Sequence, residues 1–258
     1  MARLKFLTNQ ITNPLKPLFI YLPGMDGSGK LLQKQAKLSQ LFNLRCLSIA
    51  PESIPNWDNL TDKVVNLIYQ ELANQPHAQV FLCGESFGAC LALKLIAKVP
   101  QLFSQVILVN PASSFNQRPW LNLGSYVTQL MSESFYSGLT FILLPFLAKL
   151  EALYYQEKRD LLFAMQSIPP RIVSERINLI NNFYIEIHKL QSFSHPVLIV
   201  ASGEDKLLPS VDEAYRLQQI IPQTKISILP HSGHCCLLEK NIDLVEILQN
   251  YQSISLEN

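Results

Sequence analysis

The chain has 258 residues, of which 48% are hydrophobic and 16% charged, with a formal net charge of +1. That length holds one large α/β domain or two small ones, and so apolar a composition excludes a disordered, solvating chain. A balance of 21 basic and 20 acidic residues excludes the electrostatic footprint of a nucleic-acid or acidic-membrane binder.

Short β-rich apolar runs alternate with helical patterns, the signature of crossover units that build a mostly parallel sheet. Strands are predicted at 17–22, 44–49, 79–83, 105–109, 196–200 and 225–229, with room for one short leading strand in residues 1–16. Helices are predicted at 30–41, 60–73, 87–99, 210–220 and 237–251. Between 112 and 195 the alternation stops, and only helical periodicity remains. Val173, Ile177, Ile180, Tyr184 and Ile187, spaced by four, three, four and three, mark one apolar helix face. The stretch is too long for a βα connection and too apolar for a linker. It is read as a helical cap, 112–195, inserted into a sheet domain made of 1–111 and 196–258.

The first long strand runs into Pro23-Gly24-Met25-Asp26-Gly27-Ser28-Gly29-Lys30. Gly24, Gly29 and Lys30 have the spacing of a phosphate loop, but Leu31 stands where Ser or Thr would hold magnesium. The competing reading is an oxyanion loop with the Met25 amide as a donor. The next signal is stronger. Strand residues Val80-Phe81-Leu82-Cys83 lead into Gly84-Glu85-Ser86-Phe87-Gly88 and then the apolar helix Ala89-Cys90-Leu91. This is G-x-S-x-G between a strand and a helix, the context in which a serine is forced onto a sharp turn as a nucleophile. The amide of Phe87, next to it, would be the second oxyanion donor.

Two later loops supply the remaining chemistry. The strand at 196–200 ends in Ser202-Gly203-Glu204-Asp205, where Asp205 is the first choice for an acid and Glu204 the reserve. The strand at 225–229 ends in Pro230-His231-Ser232-Gly233-His234. His234 is preferred over His231 as the general base because it follows Gly233 and lies nearest the next helix. The chain order Ser86, Asp205, His234 is that of an α/β-hydrolase and differs from the chymotrypsin and subtilisin orders.

The remaining features set the surroundings. Five cysteines (Cys46, Cys83, Cys90, Cys235 and Cys236) are an odd number with no zinc spacing, and are read as buried thiols of a reducing compartment. Residues 1–8 lack the apolar core of a signal peptide. The uncharged stretches between 118 and 133 and between 133 and 149 fall short of the roughly 20 residues of a membrane-spanning helix. The expectation is a cytoplasmic protein without metal or cofactor, whose only membrane contact would be peripheral.

At these residues the chain resembles the α/β-hydrolase superfamily, and within it the esterase/lipase/thioesterase branch that includes the plastid phytyl ester synthases and their cyanobacterial relatives. The matching stretches are Leu22–Gly29, Arg45-Cys46-Leu47, Gly84–Leu93, Val109–Phe115, Ala201–Asp205 with Leu208-Pro209-Ser210, and Ser232-Gly233-His234. The resemblance implies an α/β-hydrolase fold, with a mostly parallel central sheet flanked by helices and a helical cap after the sixth-strand position. It implies Ser86, Asp205 and His234 as nucleophile, acid and base, and a small-molecule lipid or long-chain acyl ester as substrate. Plant members carry a further acyltransferase-like half, so hydrolysis by water is expected ahead of transfer to phytol or another lipid alcohol. The other class of reading is a non-catalytic ligand receptor on a hydrolase scaffold. The substrate-binding residues are expected in the cap.

Overall fold

The computed structural model describes residues 2–7, 13–74, 76–115 and 133–251. Its centre is a seven-stranded sheet in the order β1-β3-β2-β4-β5-β6-β7. The strands are β1 (Leu4–Leu7), β2 (Leu18–Leu22), β3 (Asn43–Ile49), β4 (Val80–Glu85), β5 (Gln105–Val109), β6 (Val197–Ser202) and β7 (Thr224–Leu229). Only β1 runs antiparallel, against β3; every other pairing is parallel. The leading strand is therefore present, as an edge.

Burial explains why the central strands read as unbroken apolar runs. β2, β4, β5 and β6 are buried at every position, which a parallel sheet covered on both faces requires. Alternate side chains go to opposite faces. Leu18, Ile20 and Leu22 enter the layer under α2 (Trp57–Asn74), α3 (Phe87–Lys98) and α8 (Ser210–Ile220). Phe19 and Tyr21 enter the layer under α1 (Leu38–Leu41) and α9 (Leu244–Asn250).

Two predicted helices are broken in the structure. The first, 30–41, resolves into a 3-10 turn, Leu31–Gln35, and the single turn α1. The last, 237–251, splits into a 3-10 turn, Cys236–Leu238, and α9. Side-chain hydrogen bonds take the place of helical ones here. The buried Gln35 amide donates to the carbonyls of Leu237 (2.7 Å) and Ile242 (2.9 Å) and accepts from the Leu244 N–H (2.8 Å). Asp243 caps α9 by accepting from the Val245 N–H at 2.9 Å, so the helix starts there.

The long insertion leaves after β5 and returns at β6, its neighbour in the sheet. Its described part contains α4 (Glu133–Leu147), α5 (Tyr155–Gln166), α6 (Pro170–Asn181) and α7 (Ile187–Gln191). The apolar face read at 173–187 holds for Val173, Ile177 and Ile180, which are buried in α6. That helix ends at Asn181, and Tyr184 and Ile187 are exposed. Phe183 packs inward instead, edge-on against Trp57 at 5.5 Å. Polar ties hold α6 to the sheet domain: Ser53 Oγ donates to Glu175 at 3.1 Å, and Trp57 Nε1 donates to the Leu179 carbonyl at 2.7 Å, for example. By contrast α4 leaves Phe141, Ile142 and Phe146 exposed. Among the described residues no helix is long and apolar enough to cross a membrane. The uncharged stretch from 118 falls on residues 116–132, outside the described ones.

Candidate active site

The carboxyl ends of β2, β4, β6 and β7 converge on one edge of the sheet, where ligands of open α/β sheets bind. The turn after β4 is the tightest of these. Ser86 has φ 53° and ψ −110°, a conformation that an L-residue adopts only when its surroundings impose it. Its N–H is fixed by the Val109 carbonyl at 2.9 Å. The helix that follows crosses β2 so closely that a Cβ on Gly88 would sit 2.1 Å from the Leu22 carbonyl oxygen. Only glycine allows that approach. The strained serine and the small residue two positions on are thus one construction.

Ser86, His234 and Asp205 form a continuous hydrogen-bonded chain. His234 Nε2 lies 2.9 Å from Ser86 Oγ, and Nδ1 lies 2.7 Å from Asp205 Oδ2. An ionised carboxylate only accepts, so Nδ1 carries the proton and Nε2 faces the hydroxyl as acceptor. Asp205 is held in turn by the N–H groups of Leu207 (2.8 Å) and Leu208 (2.9 Å) and by the Ser210 hydroxyl. His234 is 3% exposed. Burial pulls its pKa down, but the charge and hydrogen bond of Asp205, with Glu85 behind, outweigh this and raise it above the ordinary histidine value. For Asp205 burial pushes upward, and His234, Ser210 and the Leu208 amide together hold it below the usual aspartate value.

The reserve residues lie elsewhere. Glu204 accepts from Lys149 at 2.9 Å and faces His231 Nδ1 at 3.3 Å, an exposed cluster away from Ser86. Lys30 is exposed and is followed by the 3-10 turn rather than a phosphate-binding helix. The loop carrying it instead passes the serine: a Cβ on Gly24 would lie 4.0 Å from Ser86 Cβ. Met25, the next residue, therefore lies beside the turn that carries Ser86. Its N–H donates to no other backbone carbonyl among the described residues. Phe87 opens α3, so its N–H has no intrahelical partner either. Of the five cysteines, Cys46 is partly buried and the others are buried, all as free thiols. Among the described residues no group of His, Cys, Asp or Glu could hold a metal ion.

Three residues matter here that the sequence reading did not single out. Asn110, with φ 43° and no exposed surface, donates from Nδ2 to the His234 carbonyl (2.6 Å) and Ser202 Oγ (2.9 Å) and accepts from the Ser202 N–H (2.8 Å). An asparagine at a strand end, before Pro111, is the available signal, because asparagine tolerates the left-handed region. Glu239 accepts from the buried Gly233 N–H at 2.8 Å and so fixes the turn before His234. Glu85, beside the serine, is buried and hydrogen-bonded to Tyr21, and burial raises its pKa. No local pattern marks these last two, whose partners are distant in sequence or hidden by the fold.

The family described as serine aminopeptidase S33 matches residues 50–241. The chain belongs to that family. Its fold is that of the α/β-hydrolases. It superimposes with a TM-score of 0.78 on an α/β-hydrolase enzyme from a Medee basin deep-sea metagenome library, over 100% of this chain and 96% of that one at 18% identity. In sequence it is 30% identical to the chloroplastic phytyl ester synthase 1 of Arabidopsis thaliana over 259 residues, 90% of this chain. It spans only 36% of that relative's length. It is 25% identical to the pimeloyl-[acyl-carrier protein] methyl ester esterase of Nitrosomonas europaea, over 78% of this chain and 81% of that one.

Proposed function

We propose that the protein is a serine-dependent acyl-ester hydrolase that works through an acyl-enzyme. The observation that carries this reading is the Ser86–His234–Asp205 chain of 2.9 and 2.7 Å contacts on a strained strand-to-helix turn. Ser86 Oγ attacks the ester carbonyl carbon and its proton passes to His234 Nε2. The carbonyl oxygen becomes an anion held by the N–H groups of Met25 and Phe87. Asp205 keeps the imidazole in the tautomer this needs and stabilises its cationic form. The tetrahedral adduct collapses, the C–O bond to the alcohol breaks, and His234 returns its proton to the leaving oxygen. A water molecule then repeats the sequence on the acyl-enzyme and releases the acid.

A cleft of about 600 Å³ lies between the insertion and the loop after β2, where Leu31, Phe163 and Ala164 line it together with the charged Lys34, Glu157 and Asp160. That volume is in the range of small-molecule sites. The likeness to a relative named phytyl ester synthase 1 supports a second reading, transfer of the acyl group to a lipid alcohol in place of water.

The test is labelling by a fluorophosphonate, followed by an acyl-ester panel with and without a long-chain alcohol, with products identified by mass spectrometry. Labelling that is lost in Ser86→Ala and release of free acid are expected. Labelling that survives the substitution excludes Ser86 as nucleophile. New esters of the added alcohol would make the protein a transferase. Tight binding of an ester without turnover would make it a receptor.

A further inference from the structure

Arg176, on the cap helix α6, is 1% exposed and among the largest fully buried side chains. A charge so deeply placed is costly unless it is paired. Its hydrogen bonds among the described residues go to no carboxylate. They go to three backbone carbonyls: Met25 at 2.6 Å from Nη1, and Ala50 at 3.2 Å and Ile49 at 3.4 Å from Nη2. Its Nε has no hydrogen-bond partner among the described residues. Burial lowers its pKa to about 10, with the charges of Asp26 and Glu175 acting against that, so the guanidinium is cationic at neutral pH.

All these contacts bear on one turn. Gly27 N–H bonds to the Gly24 carbonyl at 3.0 Å and closes the turn around Met25. Gly27 has φ +66°, and a Cβ built on it would meet Arg176 Nη1 at 2.6 Å. The guanidinium therefore occupies the space where a side chain would otherwise stand. Ile49, which accepts from Arg176, also donates its own N–H to the Gly27 carbonyl at 2.7 Å. The cation thus plugs the inner side of the turn and grips the Met25 carbonyl, while the Met25 N–H donates to no backbone carbonyl among the described residues. A neutral apolar residue would fill the same volume without the desolvation penalty. What the arginine adds is directed donors and positive charge behind the backbone that must receive an oxyanion.

We infer that Arg176 is a positioning residue, fixing the oxyanion loop from the cap through the Met25 carbonyl. The inference rests on the reading of Met25 as an oxyanion donor. A group acting this way favours the transition state over the bound ester, so its loss should fall on kcat and spare KM.

The experiment compares Arg176→Met and Arg176→Lys with wild type and with Arg171→Met, an exposed arginine on the same helix. Each protein is measured for kcat and KM on an acyl ester and for the affinity of a boronic acid, which forms a tetrahedral anionic adduct on the serine. Arg176→Met should lower kcat by about 10- to 100-fold, the scale of a misplaced or missing oxyanion donor, with KM within about twofold. Boronate affinity should fall in proportion, Arg176→Lys should lie between, and Arg171→Met should match wild type. If Arg176→Met does not fold, Arg176→Lys is read on the same scales. Unchanged boronate affinity in a folded variant, or a loss that appears in KM alone, overturns the inference while leaving the hydrolase reading intact. A wild type that neither turns over esters nor takes up a fluorophosphonate overturns both.

Discussion

Asn110 donates a 2.6 Å hydrogen bond to the backbone carbonyl of His234, 124 residues away. The same side chain spans the end of β6 through Ser202, so one amide ties the base loop to two strand ends. Asn110→Ala leaves the Ser202 N–H and the His234 carbonyl without these partners in a buried site. The expected cost is about 2–3 kcal/mol of unfolding free energy, read from urea midpoints. The loss of kcat should exceed what the unfolded fraction accounts for. Wild-type kinetics in a destabilised variant would show that the bond is structural alone.

The pH dependence follows from the direction of the His234 shift. Its pKa is raised above the ordinary 6.5, mainly by Asp205 acting against burial, and the base must be neutral to take the Ser86 proton. The acid limb of kcat/KM should therefore have its midpoint above 6.5, with activity lost as pH falls through it. In Asp205→Asn the limb should move to lower pH while kcat drops by about 10⁴. A profile over the range from acid to mildly alkaline pH checks both, and a limb moving upward would count against this assignment.

Gly88 has no tolerance for a methyl group, since a Cβ would stand 2.1 Å from a backbone oxygen of β2. Gly88→Ala must push α3 off the sheet, at about 3 kcal/mol or more. The expected outcome is a lowered Tm together with loss of fluorophosphonate uptake, because Ser86 is carried by the same turn. Full labelling at unchanged Tm would contradict the geometry.

Acyl-chain selectivity should respond to the cleft between cap and loop. Ala164 is buried at its lining, and Ala164→Phe would occupy part of the roughly 600 Å³ there. Long-chain esters should lose about tenfold or more in kcat/KM relative to short ones, on the scale of one or two methylenes excluded from a pocket. A ratio identical to wild type would place the acyl group elsewhere.

How much of this could be read beforehand depended on whether the cause was local. The buried strands and the G-x-S-x-G turn are legible because their signals, apolar runs and small residues at fixed spacing, lie within a few positions. His234 and Asp205 were legible for the same reason, each following a strand. The broken helices were not, because a single amide, Gln35, replaces helical bonds with contacts more than 200 residues distant in sequence. The cap periodicity misled at Tyr184 for a related reason. Spacing continues past Asn181 on paper, whereas packing against Trp57 selects Phe183. Arg176 looked like any polar residue of an amphipathic helix until its three carbonyl partners were brought to it.

The insertion departs from β5 and re-enters on β6, paired in register from Val106↔Val197 to Val109↔Val200. The two strands are parallel, so its ends lie at opposite ends of the pair, three residues or about 10 Å along the strands and one strand spacing, roughly 4.8 Å, across. Because closing a loop costs little more as the loop grows, that doorway accepts segments of very different size without disturbing the sheet. The insertion is nonetheless bound to the scaffold on both sides of Pro169: the Leu147 carbonyl accepts from the Cys235 N–H and the Ala152 carbonyl from the Lys240 N–H, each at 2.8 Å, while Glu175, Arg176 and Leu179 hold α6. A segment exchanged between these two strands would therefore have to replace the Leu147 contact next to His234 as well as the anchors of α6.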